Sequence, residues 1–148
     1  MTNINPVFKV RETTDSIGFI FSSTMENIDE VCKKTISYLT AILEIDEQKF
    51  AINLVLREGL TNAVRHGNAN NPEKLVRFDL NIMDSDCIKI VIEDEGNGFD
   101  WKSHQTKELS DQEEHGRGII IMKTYFNSYF YNQKGNILYL EKNLFSSK

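Results

Sequence analysis

Between residues 66 and 76 the hydrophobic pattern of this chain switches from a helical period to strict alternation. That switch confines it to folds that pack helices against a sheet. Before it, Ile28, Val31, Ile36, Leu39 and Leu43 fall on one helical stripe. Ser22-Ser23-Thr24 supplies N-cap candidates, so a helix is predicted from about Met25 to Leu43. Asp46 opens a second predicted helix that runs to His66, with Gly67-Asn68 as its stop. Its segment Phe50 to Leu56 is apolar nearly all round, the pattern of a helix buried on every side. After the switch, Val76, Phe78, Leu80 and Ile82 alternate with polar residues, and Ile88, Ile90 and Ile92 share one face of the next strand across a turn at Asp84-Ser85-Asp86.

The ends of the chain complete the pattern. The segment through Phe19-Ile20-Phe21 reads as one or two strands, and a short helix is predicted from about Gly118 to Phe126. Tyr129-Phe130-Tyr131 and Ile137 to Leu140 form a closing hairpin around Lys134-Gly135-Asn136. Between Asp100 and His115 only Trp101 and Leu109 are large and apolar, which predicts a mobile loop of a length usually tied to function or disorder. Strands, two helices, two strands, a helix and two strands make a two-layer α+β sandwich, with antiparallel neighbours and helices on one face.

Length and charge narrow the function. A chain of 148 residues suits one domain, 1–148, with enough buried surface to need no disulfide or metal staple. The net charge of −5 argues against bulk binding to nucleic acid or anionic lipid. Cys32 and Cys87 make neither a zinc pattern nor a disulfide framework, and the N-terminus has no signal-peptide pattern, so a cytoplasmic setting is expected. The longest apolar run, Ile119 to Met122, is far too short to span a bilayer.

Three constellations carry chemistry. Glu58, Asn62 and His66 recur every fourth residue, which places them within a stripe of about 80° on the second helix. A single helical glutamate is usually just solvated. Three aligned polar groups on an otherwise buried helix call for a polar partner: a ligand, an ion or water. Asp94-Glu95-Gly96-Asn97-Gly98-Phe99 follows a strand, and Asp94 has the parity of the core-facing isoleucines. Its carboxylate could accept a hydrogen bond from a ring amino group, while the glycines let the backbone approach a flat base. Asp-x-Gly-x-Gly also builds ordinary turns. Gly116-Arg117-Gly118 precedes an apolar helix, where free N–H groups and the helix dipole suit phosphate oxygens. His104 and His115 lack metal-ligand spacing and read as loop residues.

In order and spacing, Glu58-x-x-x-Asn62-Ala63-x-x-His66-Gly67, Asp94-x-Gly96-x-Gly98, a polar segment and Gly116-x-Gly118 resemble the GHKL ATPases, the superfamily of DNA gyrase, heat-shock chaperones, histidine kinases and mismatch-repair ATPases. Finer detail in 62–68, 94–100 and 115–119 resembles its stand-alone bacterial anti-sigma-factor serine kinases. The resemblance implies a histidine-kinase-like ATP-binding fold with a mixed, mostly antiparallel sheet and an ATP lid at about 100–115. It implies ATP and Mg²⁺ as cofactors. Asp94 would accept the adenine amino group, with Gly96, Gly98 and Phe99 forming the base pocket. Asn62 would ligate Mg²⁺, and Glu58 would be the general base toward an attacking serine hydroxyl. The backbone of Gly116, Arg117, Gly118 and Ile119 would hold phosphates, with Arg117 neutralising charge; Arg65 and His66 would bind nucleotide or support the loop after the helix. The implied partners are a STAS-fold anti-anti-sigma protein and a sigma factor, with no direct contact to nucleic acid or membrane, and with a homodimer as an option. A nucleotide-binding sequestering regulator without kinase activity, and a detached catalytic subdomain of a phosphorelay, share these motifs.

Overall fold

The alternating segments pair as their patterning requires. The computed structural model describes residues 6–84, 86–97 and 114–144. Three hairpins build the sheet: β1 (Phe8–Glu12) with β2 (Ser16–Ser22), β3 (Leu75–Met83) with β4 (Cys87–Glu93), and β5 (Ser128–Tyr131) with β6 (Ile137–Asn143). They assemble in the order β1-β2-β3-β4-β6-β5, and each pairing is antiparallel, narrower than the mixed sheet the resemblance allows. Register carries the core across the strands. Phe19 pairs with Phe78, Phe78 with Ile92, Ile92 with Leu138 and Leu138 with Tyr131, and every member of this row is buried. Each such side chain contributes roughly 1.5–3 kcal/mol by leaving water.

Three helices cover that face: α1 (Met25–Ile42), α2 (Lys49–Thr61) and α3 (Glu114–Tyr125). The Thr24 hydroxyl caps α1 by accepting the Asn27 N–H at 3.2 Å, and Ile28, Val31 and Leu39 of the predicted stripe are buried. α2 begins at Lys49, after a turn that starts near Asp46. It is not buried all round. Ile52, Val55, Leu56 and Leu60 face the sheet, whereas Phe50 is 70% exposed and meets Tyr125 edge to face, with ring centres 6.3 Å apart. A helix in the outer layer of a two-layer fold keeps one side toward solvent, even where its sequence is apolar.

α2 passes directly into a π-helical turn, Asn62–Gly67, in which Asn68 N–H donates to the Ala63 carbonyl five residues back at 2.8 Å. The predicted stop at Gly67-Asn68 is therefore made differently. Gly67 ends the turn, and the left-handed residues that reverse the chain are Ala69 (φ 52°) and Asn70 (φ 58°). α3 starts a full turn earlier than expected, at Glu114. Its far end is anchored by Lys142, which sits on the core face opposite Ile88 and has no exposed surface. Lys142 Nζ donates to the Tyr125 carbonyl at 2.7 Å and lies 5.5 Å from the Phe126 ring centre, so its charge meets the negative end of the helix dipole. Burial pushes its pKa down.

Candidate nucleotide-binding site

The polar stripe on α2 holds for two of its three members. Asn62 is 9% exposed and Glu58 is half-buried on the preceding turn. A π turn is one residue longer than an α turn, so Gly67 rather than His66 falls beneath Asn62. His66 is swung outward and exposed, yet it still borders the cavity below; Arg65 is exposed and outside the cavity lining.

Beneath the π turn lies a cavity of about 190 Å³, lined by Asn62, His66, Gly67, Asp94, Tyr131 and Gly135 and floored by Ile92 and Leu138. Asp94 stands where strand parity placed it, at the end of β4 and 7% exposed. Its Oδ1 accepts the Gly96 N–H at 2.8 Å. Burial raises its pKa from 3.8 to about 6; the Gly96 bond opposes that shift and Glu93 adds to it. Gly67 and Gly96 are required by close approach. A Cβ on Gly67 would collide with the Asp94 carboxylate, and one on Gly96 would collide with the Gly67 carbonyl. The two loops therefore touch backbone to backbone and leave one carboxylate facing a flat, partly apolar slot.

Gly118 closes the other side. A Cβ there would lie 3.0 Å from Glu58 Oε2 and 3.1 Å from Asn62 Nδ2, so α3 rests directly on the polar stripe of α2. Because α3 begins at Glu114, the N–H groups of Gly118 and Ile119 are engaged within the helix, which corrects the expectation that these residues open it. The N–H of Gly116 stays within the first turn, where helical donors lack intrahelical partners. Ile119 is buried. Gly98, Phe99, the Arg117 side chain and most of the expected lid at 100–115 lie outside the described residues.

The sequence reading missed Tyr131 and Asn136. Tyr131 is buried, lines the cavity and hydrogen-bonds the Asn62 side chain; burial pushes its hydroxyl pKa up, and the Asn62 bond partly opposes this. Asn136 accepts the Asp94 N–H at 3.0 Å and donates from its amide to the Asp94 carbonyl at 3.2 Å. Both sit in the closing hairpin, whose aromatic alternation signalled a strand but not a role.

The donor set fits a nucleotide and a lightly held hard cation. The slot is smaller than the ~300–1,000 Å³ of a drug-sized pocket, so it suits a base, with the remainder of a ligand passing toward Glu58, Asn62 and α3. No group of three or more His, Cys, Asp or Glu residues that could hold a metal occurs among the described residues. Asn62 can offer one amide oxygen, in keeping with Mg²⁺, which prefers few protein ligands and shares its shell with phosphates and water. No described helix is long and apolar enough to cross a membrane.

Known proteins resemble this chain over most of its length. The model of the histidine kinase-like ATPase domain matches residues 21–142. The chain is 27% identical to the anti-sigma F factor of Priestia megaterium, over 86% of this chain and 92% of that protein. It is 29% identical to the anti-sigma F factor of Geobacillus thermodenitrificans over the same shares, and 26% identical to that of Oceanobacillus iheyensis over 90% and 96%. By its matched span the chain belongs to the histidine kinase-like ATPase domain family, and within it the chain is similar to the GHKL-type anti-sigma factors.

Proposed function

We propose that this protein is an ATP- and Mg²⁺-dependent anti-sigma factor with protein-serine kinase activity. It would phosphorylate a STAS-type anti-anti-sigma partner and hold a sigma factor when that partner is spent. The observation that carries the reading is Gly118 of α3 seated against Glu58 and Asn62, beside the Asp94 slot that Asn62 also lines. The similarity to anti-sigma F factors supports the choice of partners.

Mg·ATP would supply an electrophilic γ-phosphoryl group with part of its charge neutralised. The chain's own residues do the rest. The Asp94 carboxylate would accept the adenine amino group, and Gly96 beside it donates its N–H to that carboxylate and packs on the Gly67 carbonyl, which holds the acceptor in place. Asn62, oriented by its bond to Tyr131, would offer its amide oxygen to the cation. Glu58, half-buried beside α3, would take the proton of an incoming serine hydroxyl. The fold thus provides positioning and a base, which is most of what phosphoryl transfer asks of a protein.

The test is transfer from labelled Mg·ATP to STAS-domain proteins of the same organism, with Glu58→Ala as control. Acid-stable label on one partner, absent with the variant, is expected. Acid-labile label would point to phosphohistidine and a phosphorelay. Tight ATP binding with no label on any partner would mean a sequestering protein without kinase activity.

A further inference from the structure

We propose that Asn68 is a positioning residue for purine recognition: by holding the Glu95 N–H, it fixes the angle at which Asp94 meets the base. This rests on the reading of Asp94 as the adenine acceptor. Asn68 has no exposed surface and no place on the cavity wall, so it does not touch the ligand itself. Its side chain is nevertheless fully engaged. Oδ1 accepts the Glu95 N–H at 2.7 Å, while Nδ2 donates to Ser23 Oγ at 2.7 Å and to the Leu75 carbonyl at 3.0 Å. Ser23 Oγ passes the chain on to the Lys74 carbonyl at 2.7 Å. One amide thereby ties the end of β2 and the start of β3 to the turn that follows β4.

The geometry is that of a two-point clamp. Asn136 holds both peptides that flank Asp94, accepting the N–H of the first and donating to the carbonyl of the second, and Asn68 accepts the N–H at the other end of that second peptide. Between these points the Asp94 carboxylate is set by the Gly96 N–H and pressed against Gly67. With Asn68 truncated, the Glu95 N–H loses its acceptor and the turn can rotate about the Asn136 side. The carboxylate would still be present, but no longer aimed. Discrimination should then suffer more than folding. Adenine presents an amino donor where guanine presents a carbonyl, and only an aimed carboxylate separates them.

The readout is the ratio of affinities for ADP and GDP, measured by titration on the whole chain. Only folded protein binds either nucleotide, so the ratio does not depend on how much of a variant is folded. Asn68→Ala is expected to shrink it about tenfold, the equivalent of one good hydrogen bond. Asn68→Asp keeps the acceptor for Glu95 N–H and should retain the wild-type ratio, even if it folds less well. Ser23→Ala loosens the same network away from the turn and should leave the ratio unchanged. A wild-type ratio in Asn68→Ala would overturn the proposal, as would an Asp variant that loses the ratio fully. Should Asn68→Ala not fold, amide exchange at Glu95 in the nucleotide-free wild type decides: protection is expected, and open-chain exchange would overturn it. A wild type with no purine preference would instead sink the Asp94 reading itself.

Discussion

The two ends of the site are built on different principles. At the Asp94 end, short bonds hold successive peptides of one turn, from Asn136 to Asp94 and from Asn68 to Glu95, and glycine backbones meet without side chains between them. The turn itself is local, and it is pinned by Asn68 and Asn136 from distant segments of the chain. At the Glu58 end, the polar groups sit on a helix, and their setting depends on a second helix, α3, coming to rest on them through Gly118. One end is fixed before a ligand arrives. The other depends on how two helices pack, and through Lys142 on how the last strand holds α3. A purine needs a rigid, flat slot, whereas a transferring phosphoryl group needs donors that close around it. Perturbing each end should therefore produce different symptoms.

The largest expected effect is at the helical end. Glu58→Ala should lower phosphate transfer by about 10²–10⁴-fold, the usual range for loss of a general base, while ADP affinity changes little. Transfer rates and binding titrations on the same preparation separate the two. A matching loss of affinity would mean that Glu58 helps hold the nucleotide and that the two ends are not distinct.

Next in size is the loop end. Asp94→Asn should weaken ADP binding by about 10–100-fold, since a hydrogen bond to a charged acceptor is replaced by a neutral one. The pH behaviour sharpens this. Because the Asp94 pKa is raised to about 6, ADP affinity should be flat above pH 7 and fall as pH drops below 6, where the carboxyl gains its proton. Stability should move the opposite way. Between pH 4 and 6 the folded state holds a proton that the unfolded state has lost, so unfolding free energy falls as pH rises through that window. The gap between 3.8 and about 6 corresponds to about 3 kcal/mol from this one buried group. Urea denaturation from pH 4 to 7 should show the slope in wild type and lose most of it in Asp94→Asn. Equal slopes would mean that Asp94 is not the group responsible.

This contrast also explains what the sequence could reveal. The Asp94 turn was legible because its cause is local: strand parity aims the carboxylate inward, and a glycine two residues on lets the turn pack closely. The alternating strands were legible for the same reason. The helical end was less so. Spacing by four residues assumes an α-helix, and the π turn at Asn62–Gly67, which moves His66 off the stripe, leaves no mark in composition or period. Nor did anything near Gly116 announce a helix already begun at Glu114. Lys142 was hidden because a lysine on the core face of a strand looks like an error of alternation until the Tyr125 carbonyl is seen beside it. Asn68, Tyr131 and Asn136 act through contacts between distant segments, which one sequence does not display.

The smallest expected effect tests the joint between the helices. In Gly118→Ala the added methyl would sit 3.0 Å from Glu58 Oε2, so the carboxylate or α3 must give by a few tenths of an ångström. A helical alanine is favoured over glycine by about 1 kcal/mol, which offsets the crowding, so the melting temperature should hold or rise slightly. Transfer should nonetheless slow by roughly threefold to tenfold, because the base is displaced from its line of attack. ADP affinity, set at the opposite end, should not change. A variant that melts earlier and transfers normally would reverse the expected signs. It would show that α3 contributes packing to α2 and that its contact with Glu58 does not place the base.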